Sequence, residues 1–177
     1  MSKIINAVTP FTTEFIRSLR AGDRVSLSGV IYTGRDAAHK RLCALLDAGE
    51  ELPVDLAGQA IYFVGPCPAP PGKVIGAAGP TTSGRMDAYS PVLIEKCNLK
   101  AMIGKGDRND AVKSAMKEFG AVYFAATGGA GALISRSIVK ADVVAFPDLG
   151  PEAIYRLEVK DLPLVVAIDA EGNSLYK

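Results

Sequence analysis

Three stretches of this sequence put a glycine beside a basic side chain at the point where a strand-like run gives way to a helical one. They are Gly34-Arg35, Gly84-Arg85 and Gly104-Lys105-Gly106-Asp107-Arg108. Gly128-Gly129-Ala130-Gly131 is a fourth such junction, without the charge. In open α/β sheets these turns gather at the carboxyl edge, where ligands bind. Helix N-termini offer free N–H groups there, glycine lets the backbone come close, and arginine grips a carboxylate with two parallel hydrogen bonds. Together the junctions describe a site for a small, multiply charged anion. The turn Gly79-Pro80-Thr81-Thr82-Ser83-Gly84-Arg85 is the most telling. Three consecutive hydroxyls, two glycines and an arginine have little packing purpose.

Each residue also has a plainer reading. Arg35 fits a solvated residue opening a helix, and Lys105 and Arg108 fit surface charges beside Asp107 and Asp110. The Gly128–Gly131 run suits close helix–sheet packing. His39, the only histidine, stands one turn into its helix and reads equally as a satisfied structural residue. Nucleotide loops fit worse. Gly79 and Gly84 have Walker-A spacing, but Arg85 stands where lysine is required and Met86 where a hydroxyl must reach Mg²⁺. Gly104-Lys105-Gly106, followed by Asn109, lacks the third glycine of a dinucleotide fingerprint.

The elements that must carry these turns alternate. Val25–Thr33, Gln59–Val64, Val74–Ala78, Lys100–Ile103 and Ala121–Ala126 are short, apolar and rich in β-branched or aromatic residues, and predict strands. Helices are expected over Arg35–Ala48, over Asp87–Cys97 with an early break at Pro91, over Arg108–Phe119, and as a small-residue helix over Gly129–Ile138. Ala111, Val112, Ala115, Met116 and Phe119 share one face of the third, and Gly120 follows it as a stop. Four prolines between Gly65 and Gly72 exclude helix and central strand and predict an ordered loop. From Val143 the chain becomes strand-rich and ends in a hairpin around Glu171-Gly172-Asn173. The order predicts one α/β domain over residues 1–177, with a mixed sheet and extra β-structure towards both ends.

Composition narrows the function. The chain has 177 residues, 49% of them apolar, and a formal net charge of +1 from 20 basic and 19 acidic residues. No overall field would draw in nucleic acid or a membrane surface. Neither a signal peptide nor a membrane-length apolar run is evident, so a cytoplasmic protein is expected. Cys43, Cys67 and Cys97 are odd in number and widely spaced, matching neither a disulfide framework nor a metal-ligand set. Metal chemistry would require ligands from another chain.

Ser28-Gly29, Tyr32-Thr33-Gly34-Arg35-Asp36-Ala37-Ala38-His39, the run from Gly79 to Asp87, and Lys105-Gly106-Asp107-Arg108 resemble the class I fumarase and tartrate dehydratase family. They match its C-terminal domain, made in many prokaryotes as a separate β subunit. Phe146–Ile154 and Val159–Pro163 extend the resemblance, which runs from about Val8 to Asn173. It implies a swivelling β/β/α domain that works with an α subunit holding a [4Fe–4S] cluster, so a hetero-oligomer. It also implies a hydro-lyase: reversible hydration of fumarate to (S)-malate, or dehydration of tartrate. Position by position, it puts Arg35 and Arg85 on substrate carboxylates, Lys105 in the pocket and Thr81 as proton carrier. Thr82 and Gly84 shape the substrate turn, with Asp36, His39 and Arg108 as further candidates. Asp107 stands where the family usually has asparagine, and Cys67 interrupts a proline loop that often carries an aliphatic residue. Two rivals stand beside this reading: a stand-alone anion- or nucleotide-binding module, and a purely structural partner subunit.

Overall fold

The computed structural model describes residues 3–126 and 131–176. Seven strands form one mixed sheet. They are β1 (Ile4–Val8), β2 (Arg24–Thr33), β3 (Ala60–Tyr62), β4 (Ala101–Gly104), β5 (Val122–Ala125), β6 (Ile138–Ala145) and β7 (Ile154–Ile168). β1 to β5 run parallel in that order, and β7 runs antiparallel to its neighbours. β7 is long enough to pair with β2 through Arg156–Val165, with β5 through its last residues, and with β6 through its first. The pairings β2–β3–β4–β5–β7 therefore return to β2, and the central strands close into a ring.

Closure gives the sheet an inside and an outside, and the period-2 alternation of side chains sorts residues between them. Val25, Leu27 and Ile31 of β2, Ala60 and Tyr62 of β3, Ile103 of β4, Phe124 of β5 and Leu157 and Leu164 of β7 form one buried cluster. Ile16, Leu19 and Phe11, in and around α1 (Thr13–Ser18), join it. Their neighbours Ile61, Met102 and Tyr123, with Phe63 just past β3, belong to a second cluster that includes the helices. Those helices are α2 (Asp36–Asp47), α3 (Ser90–Cys97) and α4 (Asp110–Phe119), which contribute Leu42, Leu93 and Met116. This is the mixed-sheet α/β arrangement that the resemblance implied.

Several expectations need correction. Val74–Ala78 is not a strand but the returning limb of the proline loop. Cys67 N–H donates to Ala77 O at 2.9 Å and Gly76 N–H to Cys67 O at 3.1 Å, tying the loop across its base. A Cβ on Gly76 would lie 2.5 Å from Pro68 O, so the two limbs touch backbone to backbone. Pro91 does not break α3; it lies in the first turn, where a missing N–H costs nothing. The residues before it form a short 3-10 turn, Ser83–Met86. The helix expected over Gly129–Ile138 is α5 (Gly131–Ser135), and Ile138 already belongs to β6. Gly128, Gly129 and Ala130 lie outside the described residues. β1 and α1 carried too little periodicity to be read from sequence.

Candidate functional site

The carboxyl ends of β2, β3 and β4 are Thr33, Tyr62 and Gly104, side by side in the sheet. Each sequence junction leaves from one of these ends or is tied to them. Gly34-Arg35 leads from β2 into α2. Gly79–Arg85 is stitched to β3: the Tyr62 hydroxyl donates to Ala78 O, and Thr81 N–H donates to Phe63 O at 2.7 Å. It is also stitched to the extension of β4, where Thr82 pairs with Lys105 as an isolated parallel bridge and Ser83 N–H donates to Lys105 O at 2.9 Å. Gly131, from the fourth junction, backs onto Gly79; a Cβ on Gly131 would lie 2.8 Å from Gly79 N. Arg35, Thr81, Thr82, Gly84, Arg85 and Lys105 thus come to one edge of the sheet.

Arg85 and Asp36 meet at that edge. Arg85 Nε donates to Asp36 Oδ2 at 3.0 Å, and the side chains are 54% and 35% exposed. The pair runs through Nε, and neither terminal nitrogen of Arg85 is in an ion pair among the described residues. Arg35 lies across Gly65, just beyond β3; a Cβ there would sit 3.1 Å from both Cδ and Nη1 of Arg35. Gly65 was not singled out in the sequence, although a glycine at the end of a strand was the available signal. Arg35 Nε and Asp36 Oδ1 are buried without hydrogen-bond partners among the described residues. Neither Arg35 nor Lys105 is in an ion pair among those residues. The edge therefore carries unneutralised positive charge.

The three hydroxyls of the turn part company. Thr81 is half-buried, Thr82 exposed, and Ser83 fully buried. Ser83 fills the space that Gly104 leaves, since a Cβ on Gly104 would lie 1.9 Å from Ser83 Oγ. Its hydroxyl meets the Tyr123 hydroxyl at 2.7 Å.

Two candidates lie beneath the edge. His39 is fully buried, its ring edge-on to Phe63 at 5.4 Å and near Tyr89 at 6.1 Å. Burial pulls its pKa down to about 4, only partly countered by its hydrogen bond to Arg35 O. The ring is therefore neutral at pH 7. Nδ1 lies 2.8 Å from Arg35 O, an atom that only accepts, so Nδ1 carries the proton and Nε2 is a bare acceptor. Nε2 is buried and unpartnered among the described residues. Arg108 is also internal, 3% exposed and stacked between the rings of Phe63 and Tyr123 at 5.1 Å from each. Its Nε donates to Asp87 Oδ1 at 2.6 Å and its Nη2 to Ser90 Oγ at 2.7 Å. Asp87 Oδ2 accepts Asn109 N–H at 2.9 Å, so this pair clamps the end of the threonine turn to the start of α4. Arg108 is a brace behind the edge, not a group presented on it.

Among the described residues no three His, Cys, Asp or Glu side chains converge as a metal ion requires. Cys67 is exposed on the proline loop, while Cys43 and Cys97 are half-buried with their thiols pushed up by burial. Concavities of about 460, 400 and 320 Å³ are lined by the proline loop with Ser135–Ile138, by residues 46–56 with Lys96 and Cys97, and by Asn6–Phe15. None of these three is lined by Arg35, Thr81, Arg85 or Lys105. No described helix is long and apolar enough to cross a membrane.

A closed mixed sheet with three basic side chains and two threonines at the carboxyl ends of its parallel strands defines an α/β domain built around one polar, positively charged edge. The chain belongs to the family described as the fumarase C-terminus, which it matches over residues 2–177. It is 40% identical over 155 residues to the anaerobic class I fumarate hydratase of Escherichia coli, covering 87% of this chain but 28% of that protein. Against fumarate hydratase 2 of Leishmania major the figures are 37% over 156 residues, 88% and 28%. A Methanocaldococcus jannaschii protein, provisionally named L(+)-tartrate dehydratase subunit beta, is 40% identical over 171 residues, 94% of this chain and 88% of that one. The chain thus spans little more than a quarter of these fumarate hydratases and most of the subunit-sized relative.

Proposed function

We propose that this chain is the β half of a two-chain hydro-lyase that interconverts fumarate and (S)-malate, with the α partner carrying the [4Fe–4S] cluster. The observation that carries the reading is the meeting of Arg35, Arg85 and Lys105 with Thr81 at one open edge. Thr82, Gly84, Arg85 and Lys105 are exposed on this edge, which suits half of a site over which a second surface would supply a wall.

In this reading Arg35 and Arg85 hold the two carboxylates of the substrate. Asp36, through Oδ2, sets the plane of the Arg85 fork. Taking a proton from the carbon beside a carboxylate moves negative charge onto that carboxylate, so fixed cations favour the transition state over the ground state. Lys105 adds a third positive charge. Thr81 Oγ takes the proton from malate in dehydration and returns it in hydration. A threonine hydroxyl is a weak base unaided, so a carboxylate must first take its own proton; the partner is the proposed source. Thr82 and Gly84 keep the turn open to the substrate. A second reading, dehydration of tartrate, is favoured by the subunit-sized relative and uses the same residues.

The test separates two adjacent threonines in the complex reconstituted anaerobically with a cluster-bearing partner. Thr81→Ala is expected to lower kcat about 10²–10⁴-fold, the scale of losing a proton-transfer group. Thr81→Ser, which keeps a hydroxyl, retains more activity. Thr82→Ala acts mainly through KM. Equal damage from Thr81→Ala and Thr82→Ala in complexes shown to assemble would reduce the turn to an anion cradle and move the proton to the partner. Running each assay with malate and with tartrate distinguishes the two substrates.

A further inference from the structure

Besides the Thr82–Lys105 bridge and the Ser83 N–H bond to Lys105 O, one phenol ties the threonine turn to the lysine turn from below. Tyr123, at the second position of β5 and fully buried, puts its hydroxyl 2.7 Å from Ser83 Oγ and 2.7 Å from Gly106 O. The phenol has one proton, and Gly106 O can only accept. Tyr123 therefore donates to Gly106 O and accepts from the Ser83 hydroxyl, a directed chain from one turn to the other. Ser83 lies two residues after Thr81 and two before Arg85; Gly106 follows Lys105. Burial holds the Tyr123 hydroxyl in its protonated form at any working pH. The ring cannot drift, because Arg108 stacks on its face at 5.1 Å. No reading of the site so far uses this buried phenol.

We propose that Tyr123 is a positioning residue, whose hydroxyl, by bridging Ser83 to Gly106, fixes the lysine turn beyond its backbone pairing and so holds Lys105 against Thr81. The inference rests on the carboxylate-binding reading above and adds to it the group that fixes its geometry. Displacements of about 1 Å in a reacting constellation can cost about 10²-fold in rate. Arg85 has its own tether in Asp36, and Arg35 belongs to another junction, so substrate binding should suffer less than turnover.

In the reconstituted complex Tyr123→Phe is expected to lower kcat about 10- to 100-fold with KM changed less than about threefold. Ser83→Ala should act in the same direction. The double variant should be no worse than the worse single one, because both remove the same bridge. A merely structural role would lower Tm and the yield of complex but leave kcat per assembled complex unchanged. Amide hydrogen exchange on the isolated chain reads the bridge without any reaction: Lys105–Asp107 should exchange at least about tenfold faster in Tyr123→Phe, with β7 unaltered. Unchanged exchange, kcat within twofold of wild type, or additive losses in the double variant each overturn the proposal. If the wild-type complex turns over neither malate nor tartrate, the functional reading fails, while exchange still decides whether Tyr123 ties the two turns together.

Discussion

Arg85 is the residue at which charge and geometry can be told apart. A lysine there keeps the charge but loses the planar fork, and cannot both meet Asp36 through Nε and present two further donors to a carboxylate. Arg85→Lys should therefore cut kcat/KM in the reconstituted complex by at least about 30-fold, in line with about 2–5 kcal/mol for losing one partner of a desolvated charge pair. The stability of the isolated chain should hardly change, because the Arg85–Asp36 pair is half-exposed and contributes little there. Wild-type kinetics for this variant would take Arg85 out of the site. His39 makes a different prediction. Its folded pKa, about 4, lies below the ordinary value of 6.5, so between those values the unfolded chain binds the proton and the native chain does not. Stability is thus fully present above pH 6.5 and falls as the pH drops towards 4, by on the order of 3 kcal/mol. Its nearest charges, Asp36 and Arg108, act in opposite directions on it. Urea unfolding at pH 7 and pH 4.5, for wild type and His39→Gln, checks this. Equal losses in the two proteins would show that His39 is not held neutral.

At the scale of elements, Arg108 and Arg85 look alike in sequence, each following a glycine turn, yet should behave oppositely. Arg108 joins the 3-10 turn, α3 and α4 through Asp87, Ser90 and the aromatic rings around it. Removing a buried charge's partner leaves the other charge uncompensated, at a cost of about 3–5 kcal/mol. Arg108→Met should lower the unfolding free energy of the isolated chain on that scale, whereas Arg85→Ala should fall within about 0.5 kcal/mol of wild type. Similar losses from both would mean that Arg108 is no brace. α4 offers a smaller test. The Asn109 side chain accepts Val112 N–H at 3.0 Å as N-cap, so Asn109→Ala should cost about 1 kcal/mol, read as a shift in urea midpoint at constant slope.

At the scale of the whole molecule, the open charged edge and the match to only a quarter of the fumarate hydratases' length make the same prediction. The purified chain should show no hydratase activity and no visible iron–sulfur absorption band, and anaerobic addition of a cluster-bearing partner should bring turnover. Malate dehydration by the isolated chain, or a cluster spectrum from it, would defeat the two-chain reading.

Sequence alone determined the local features. The α4 stripe and the Gly120 that ends it follow from side-chain period and capping chemistry, both set within a few residues, although the helix starts at Asp110, after its Asn109 cap, and not at Arg108. So does the placing of Gly34-Arg35 and Gly104-Lys105 just after strands β2 and β4, since glycine and a change of period mark them; Gly84-Arg85 instead reaches the edge inside a 3-10 turn that follows a loop. The tertiary structure decided what depends on contacts distant in the chain. Ring closure needed β7 to pair with both β2 and β5, and nothing in the period of Ile154–Ile168 names those partners. Thr81, Thr82 and Ser83 are chemically similar neighbours; only the void at Gly104 and the Tyr123 hydroxyl select Ser83 for the interior. His39 and Arg108 read as possible surface or site groups because a side chain's type fixes what it can bond to, whereas its burial is fixed by what packs over it. Phe63, just past β3, and Tyr123 of β5 come from distant parts of the chain, and the fold alone brings them there.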